Sequence, residues 1–181
     1  LNIHPSLLPK YRGPSPIQSA ILDGDEKTGV TLYLLDDKMD HGEIVSSIKC
    51  QVSGNDTYKT LERKLAELGG DLLVETLPKF LNGEIKPRTQ NEPEATYTKK
   101  FTANDAFIDE KILQEALSGR DPETARNIER KIRALTPEPG VWTLRQGQGK
   151  PKRTKLLEAE IQNNALILKT IQTEGKKPEK L

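Results

Sequence analysis

Asn2 and His4 are spaced to act together on one oxygen atom. Two apart in an extended segment, they emerge from the same face, while Leu1 and Ile3 point the other way, into apolar surroundings. A carboxamide and an imidazole on one strand face can both donate to a developing oxyanion, and one such donor contributes roughly 3–4 kcal/mol in favourable cases. A carboxylate nearby would orient the imidazole and could take a proton from an attacking amine. Asp40, within Asp40-His41-Gly42, sits where a tight turn can thrust a side chain into a cleft. Residue types alone leave the plainer reading open: a structural histidine at a strand end, and a turn aspartate bonded to its own backbone. His4, Asp40, His41 and Cys50 have no recognisable ligand spacing, so no metal centre is expected.

The elements that must position these groups can be read from periodicity and punctuation. Leu1 to His4 form a short strand that Pro5 helps to end. Ser6 to Ser15, with Pro9, Pro14 and Gly13, form a shaped loop. Pro16 to Leu22 have the apolar spacing of a short helix, with Gly24 as its stop. Gly29 to Leu35 alternate, with Val30, Leu32 and Leu34 on one face, and Glu43 to Val52 form the returning partner strand. After Gly54-Asn55-Asp56, Leu61, Leu65, Leu68 and Leu72 recur at helical spacing. Gly69-Gly70 is expected to divide this stretch into two helices, the second carrying Leu73, Leu77, Phe80 and Leu81.

Residues 83–98 are polar, contain Pro87 and Pro93, and lack periodicity, as a linker does. Beyond them, Asp121-Pro122 supplies an N-cap followed by proline, and Ala125, Ile128, Ile132 and Leu135 line one helix face. Short strand-like runs follow over 141–144, 154–161 and 165–171, separated by Gln146-Gly147-Gln148-Gly149 and Gln162-Asn163-Asn164. The halves differ in charge. Residues 1–98 carry 11 Lys/Arg against 15 Asp/Glu, a net of −4, and residues 99–181 carry 17 against 12, a net of +5. Arg145, Lys150, Lys152, Arg153 and Lys155 fall in a stretch without an acidic residue. Such a cluster attracts phosphate backbones, or is simply a solvated loop; charge alone does not choose.

Composition bounds the function classes. A chain of 181 residues, 34% hydrophobic and 30% charged, can bury a core in one large domain or two small ones. No apolar run approaches the ~18 residues of a membrane span. The single cysteine excludes an internal disulfide and a cysteine-rich zinc site, and points to a reducing, cytoplasmic setting. Met39 is the sole methionine, and Leu1 to His4 read as the middle of a buried strand, so the chain is expected to be the downstream part of a longer one, with little or no activity by itself.

The segment Asn2-Ile3-His4-Pro5-Ser6-Leu7-Leu8-Pro9 followed by Asp40-His41-Gly42 resembles the signature of enzymes that transfer a formyl group from 10-formyltetrahydrofolate, N-x-H-x-S-L-L-P with a downstream D-x-G. The resemblance implies that Asn2, His4 and Asp40 are catalytic, and that Ser6, Leu7, Leu8 and Pro9 line the folate site. It also implies that an acceptor amine attacks the formyl carbon while Asn2 and His4 hold the oxyanion. Arg12 to Gln18 are similar to the methionyl-tRNA branch of that family, R-G-x-x-P-I-Q, as are Glu94 to Lys100 and Ile128 to Gly140. Glu138 and Glu110 depart from it, standing where the family often has aromatic residues. Amino-sugar formyltransferases share much of the first hundred residues, and a noncatalytic RNA-binding module is a further alternative.

The implied architecture is α/β: the downstream part of a Rossmann-like catalytic domain over 1–84, a linker over 85–98, and an OB-like β-barrel over 99–181. The implied partners are 10-formyltetrahydrofolate as formyl donor and initiator methionyl-tRNA, met by a monomer. Arg126, Arg130, Lys131, Arg133, Arg145, Lys150, Lys152, Arg153 and Lys155 are the expected phosphate contacts, positioning the tRNA without reading its sequence.

Overall fold

A computed structural model describes residues 1–145 and 150–181, so the expected Gln146-Gly147-Gln148-Gly149 separator lies outside the described residues. The chain forms two compact units, Leu1–Lys100 and Phe101–Leu181. Among the described residues no helix is long and apolar enough to cross a membrane.

The first unit is built on a three-stranded antiparallel sheet in the order β1-β2-β3: β1 (Asn2–His4), β2 (Lys27–Tyr33) and β3 (Ile44–Gln51). Its α/β character comes from helices laid on an antiparallel sheet, because the 34–43 turn returns β3 directly against β2. The central strand β2 is buried on both faces: Val30 and Leu32 on one, Thr31 and Tyr33 on the other. Helix α1 (Pro16–Asp23) starts with proline in its first turn and stops at Gly24, whose left-handed φ of 71° costs glycine nothing.

Helix α2 runs unbroken from Tyr58 to Leu81. Gly69-Gly70 was expected to divide it, and the reason it does not is packing. A Cβ on Gly69 would lie 3.1 Å from Ile3 Cγ2 and 3.4 Å from Val30 Cγ1, so this glycine lets the helix approach the sheet. Thr57 caps the helix through a reciprocal pair of bonds with Thr60. Ile3 reaches this packing from the sheet edge yet remains 40% exposed, and Leu1 43%, so the apolar surroundings expected for them are only partly present.

Residues 85–98, read from sequence as a linker, are held against the first unit along their length. Ile44 and Arg88 exchange two backbone bonds (2.8 and 2.9 Å), Arg12 N–H donates to the Thr96 carbonyl (2.8 Å), and Thr98 N–H donates to the Arg12 carbonyl (2.7 Å).

The second unit contains α3 (Glu110–Ser118), α4 (Pro122–Leu135) and an antiparallel sheet in the order β4-β5-β6-β7. Its strands are β4 (Trp142–Arg145), β5 (Lys152–Gln162), β6 (Ala165–Thr173) and β7 (Glu179–Lys180). The expected OB-like barrel is wrong: the sheet is open. Among the described residues β5 is the only strand paired with β4, whose Trp142 also bridges Phe107, and β6 is the only strand paired with the two-residue β7, so β4 and β7 do not join to close a circle. A barrel hides its apolar face by curling on itself. Here α3 and α4 cover that face, with Ile128, Ile132, Leu135, Leu113, Leu156, Leu166 and Ile171 all buried. Asp121 caps α4 as expected, accepting from the Glu123 and Thr124 amides. The capping of α3 by Asp109, which bonds the Lys111 amide, had not been read from sequence.

Candidate active site

Antiparallel pairing of β1 with β2 sets Asn2 opposite Tyr33 and His4 opposite Thr31. Asn2, His4 and Tyr33 thereby share one sheet face, and the turn after β2 returns Asp40 to it. Asn2 Nδ2 donates to the Tyr33 hydroxyl (3.0 Å), and that hydroxyl donates to Asp40 Oδ1 (2.6 Å). The other carboxylate oxygen, Oδ2, accepts from the Gly13 amide (2.6 Å) and lies 3.7 Å from His4 Nδ1. The three residues singled out in the sequence are thus brought together, with Tyr33 between two of them.

His4 is 5% exposed, and its Nε2 lies 2.9 Å from the Tyr11 carbonyl oxygen. A carbonyl can only accept, so Nε2 carries a proton. In the neutral ring Nδ1 is therefore the free lone pair, and in the charged ring it is the donor beside Asp40. Burial, reinforced by the Asp40 hydrogen bond against the opposing effect of Asn2, pushes the Tyr33 hydroxyl up to about 12. Tyr33 is a neutral donor to Asp40 at pH 7.

The surrounding backbone is specialised. Asp40 has φ 48°, a left-handed conformation that aspartate tolerates better than most residues. A Cβ on Gly42 would fall 1.8 Å from the Leu34 carbonyl oxygen, so the turn closes over a glycine. Tyr11, whose carbonyl fixes His4, is also left-handed at φ 61°. Its hydroxyl sits between Asp23 (2.6 Å) and Asp25 (2.8 Å); burial and then these two carboxylates raise it well above the ordinary phenol range.

The Ser6–Pro9 segment divides. Ser6 is fully buried, its hydroxyl donating to the Lys10 carbonyl (2.5 Å), and Leu8 packs with Tyr33 and Ile44. Leu7 packs over Gly29 and, with Pro9, is partly exposed. His41 is drawn away from the centre to Asp36 (2.6 Å) and Glu92 (3.3 Å). Among the described residues no three His, Cys, Asp or Glu side chains are grouped to hold a metal.

Tyr33 was missed from sequence. The signal available was the Thr31–Tyr33 pair, polar-tipped residues on the strand face opposite Val30, Leu32 and Leu34.

The nine cations expected to contact phosphate do not form one surface. On β4 and β5, Arg145 and Lys152 are direct partners on the same face as buried Thr143 and Thr154, toward the helices. Arg153 and Lys155 alternate to the open face, where the Arg153 guanidinium lies 4.4 Å over the Trp142 ring. They border a shallow cleft of about 200 Å³ with Gln172, Thr173 and Glu174. Arg126, Arg130, Lys131 and Arg133 belong to α4, on the covered side, and Arg133 is tied to Glu129 (2.5 Å). Lys150 lies in the connection before β5.

Both halves of the chain resemble known proteins. Residues 1–77 match the family model for formyl transferase, and residues 122–166 match that for the formyl transferase C-terminal domain. The methionyl-tRNA formyltransferase of Kosmotoga olearia is 42% identical over 166 residues, 92% of this chain and 49% of that protein. The chain spans about half the length of the curated relatives it matches. Among solved structures, the methionyl-tRNA formyltransferase of Clostridium thermocellum superposes with a TM-score of 0.64 at 20% identity, covering 94% of this chain and 66% of that one. HypX from Aquifex aeolicus, in complex with tetrahydrofolic acid, superposes with a TM-score of 0.71 at 20% identity, covering 99% of this chain and 33% of that one. Matched in both halves, and in chain order, by models of one family, the chain belongs to the formyl transferases.

Proposed function

We propose that this chain carries the formyl-transfer centre of an enzyme that moves a formyl group from 10-formyltetrahydrofolate to the amino group of initiator methionyl-tRNA. The observation that carries this reading is the convergence of Asn2, His4 and Asp40 on one face, with the Nε2–H of His4 already committed to Tyr11. The folate reading draws on the family membership and on the tetrahydrofolate held by HypX. The acceptor reading draws on the 42% identity to the Kosmotoga enzyme and on the basic second unit.

In this mechanism the amine lone pair attacks the formyl carbon and the carbonyl π electrons move to oxygen. Asn2 Nδ2–H and His4 Nδ1–H, the latter as part of an imidazolium, donate to that oxygen. Asp40, 3.7 Å from Nδ1, balances the imidazolium and accepts the proton lost by the attacking amine. Collapse of the tetrahedral intermediate breaks the bond to the folate nitrogen, which leaves with the proton that Asp40 took from the amine. Leu7 and Pro9, with the backbone of their loop, are the groups offered to the folate, since the Ser6 hydroxyl and Leu8 side chain are turned inward. On the second unit, Arg153 and Lys155 on the open face are the phosphate contacts the geometry favours, each as a positioning charge.

Acceptor competition tests the reading. Offered 10-formyltetrahydrofolate with equal methionyl-tRNA and a nucleotide-linked amino sugar, the full-length protein is expected to formylate the tRNA. Preferential formylation of the sugar would replace the proposed acceptor, and RNA binding without turnover would leave a binding module.

A further inference from the structure

The turn that presents Asp40 is braced from the segment that looks like a linker. Gln90, 6% exposed, donates through Nε2 to two carbonyls of that turn, those of Asp40 (2.9 Å) and Gly42 (2.8 Å). Its Oε1 accepts from Arg12 Nε (3.1 Å) and Nη2 (2.8 Å). Arginine has no acceptor, so the amide can be oriented in one way only, with both Nε2 hydrogens on the turn. Arg12 is itself fully buried and pinned by Glu92 (2.5 Å) and the Tyr97 hydroxyl (2.9 Å). The residue that follows it, Gly13, supplies the amide that binds Asp40 Oδ2.

Asp40 is therefore held from two directions that meet at Arg12. One runs through the backbone to the Gly13 amide and the carboxylate; the other runs through Gln90 to the carbonyls of Asp40 and Gly42. We infer that Gln90 is a positioning residue for the reaction: it sets the Asp40 turn, and hence the distance from the carboxylate to His4, without touching substrate. This rests on the proposed catalytic role of Asp40. The left-handed φ of Asp40 gives the brace its purpose, because a strained turn keeps its geometry only where its surroundings over-determine it.

Gln90→Glu tests it. The variant keeps an acceptor for Arg12 and loses the donor to the two carbonyls. Two readouts are needed: formyl transfer kinetics in the full-length protein, and the pH-dependent shift of the Gly13 amide proton by NMR, which follows ionisation of Asp40. The expected result is a fall in kcat of about 10- to 100-fold, the scale of an ångström-level misplacement, with KM for the folate little changed and a smaller Gly13 shift. Thr89→Ala, which removes an exposed hydroxyl of the same segment, is expected to match wild type in both. Wild-type behaviour of Gln90→Glu in either readout overturns the inference. Asp40→Asn separates it from the reading beneath it: full activity in that variant removes the catalytic role of Asp40, whereas loss there with normal Gln90→Glu removes the brace alone.

Discussion

The two units use polar residues in opposite ways. In the first, Asn2, Tyr33, Asp40, Gly13, His4 and Tyr11 form one chain of contacts, each group aimed by its neighbour. In the second, cations are distributed over both sides of an open sheet, and among the described residues Arg153 and Lys155 form no ion pair. Convergent groups fail together, because each depends on the geometry of the rest. Dispersed charges contribute in small and nearly additive steps.

That contrast can be broken in order of expected effect. Asn2→Ala removes one of the proposed oxyanion donors from an exposed strand edge, and kcat is expected to fall by about 10²–10³ with the unfolding midpoint little moved. Comparable activity in initial-rate assays would take Asn2 out of the centre. Next is a stability contrast between neighbours. Gly69→Val drives a branched side chain into Ile3 and Val30 and is expected to cost about 1–3 kcal/mol in denaturant unfolding. Gly70→Ala meets open space on an exposed helix face and is expected to gain about 0.5–1 kcal/mol. Equal effects at the two positions would refute the packing account of the unbroken α2.

Smaller still is the contribution of each cation. Neutralising Arg153 and Lys155 together to Gln is expected to reduce the salt slope of tRNA binding by about 2, roughly one for each phosphate contact. The same change at Arg126 and Arg133 is expected to alter it less, since Arg133 is paired with Glu129. The reverse ranking would place the RNA on the helical side.

Tyr33 gives a pH dependence. Its folded value is raised to about 12 from an ordinary 10.0, so its contribution to stability is complete below pH 10 and is lost as pH rises toward 12. Tyr33→Phe is expected to flatten that alkaline limb in thermal unfolding, and an unchanged limb would assign it to other tyrosines.

What the sequence disclosed follows from the range of each interaction. The spacing of Asn2 and His4, the alternation of Val30 and Leu32, the glycine stop at Gly24 and the Asp121-Pro122 start are local, and all four features are found in the fold, although β2 ends at Tyr33, before Leu34. Gly69 misled because glycine marks a breaker and a close approach equally, and nothing local says that Ile3 and Val30 lie above it. Gln90 had no signal: its partners are 50 and 78 residues away, and a polar, proline-bearing stretch reads as a linker when its contacts are unknown. The barrel was misjudged for the same reason. Strand runs are legible, but whether the first and last strands pair or helices cover the sheet is decided at long range.

Asp40, held against His4, is proposed to serve the chemical step. Single-turnover formylation of methionyl-tRNA by the full-length protein, saturated with both substrates, tests it through Asp40→Asn. That variant can still meet Gly13 and Tyr33 but carries no charge. The rate of the chemical step is expected to fall by about 10²-fold or more while tRNA binding is retained, in line with losing a general base and the partner of the imidazolium. A single-turnover rate equal to wild type would contradict it.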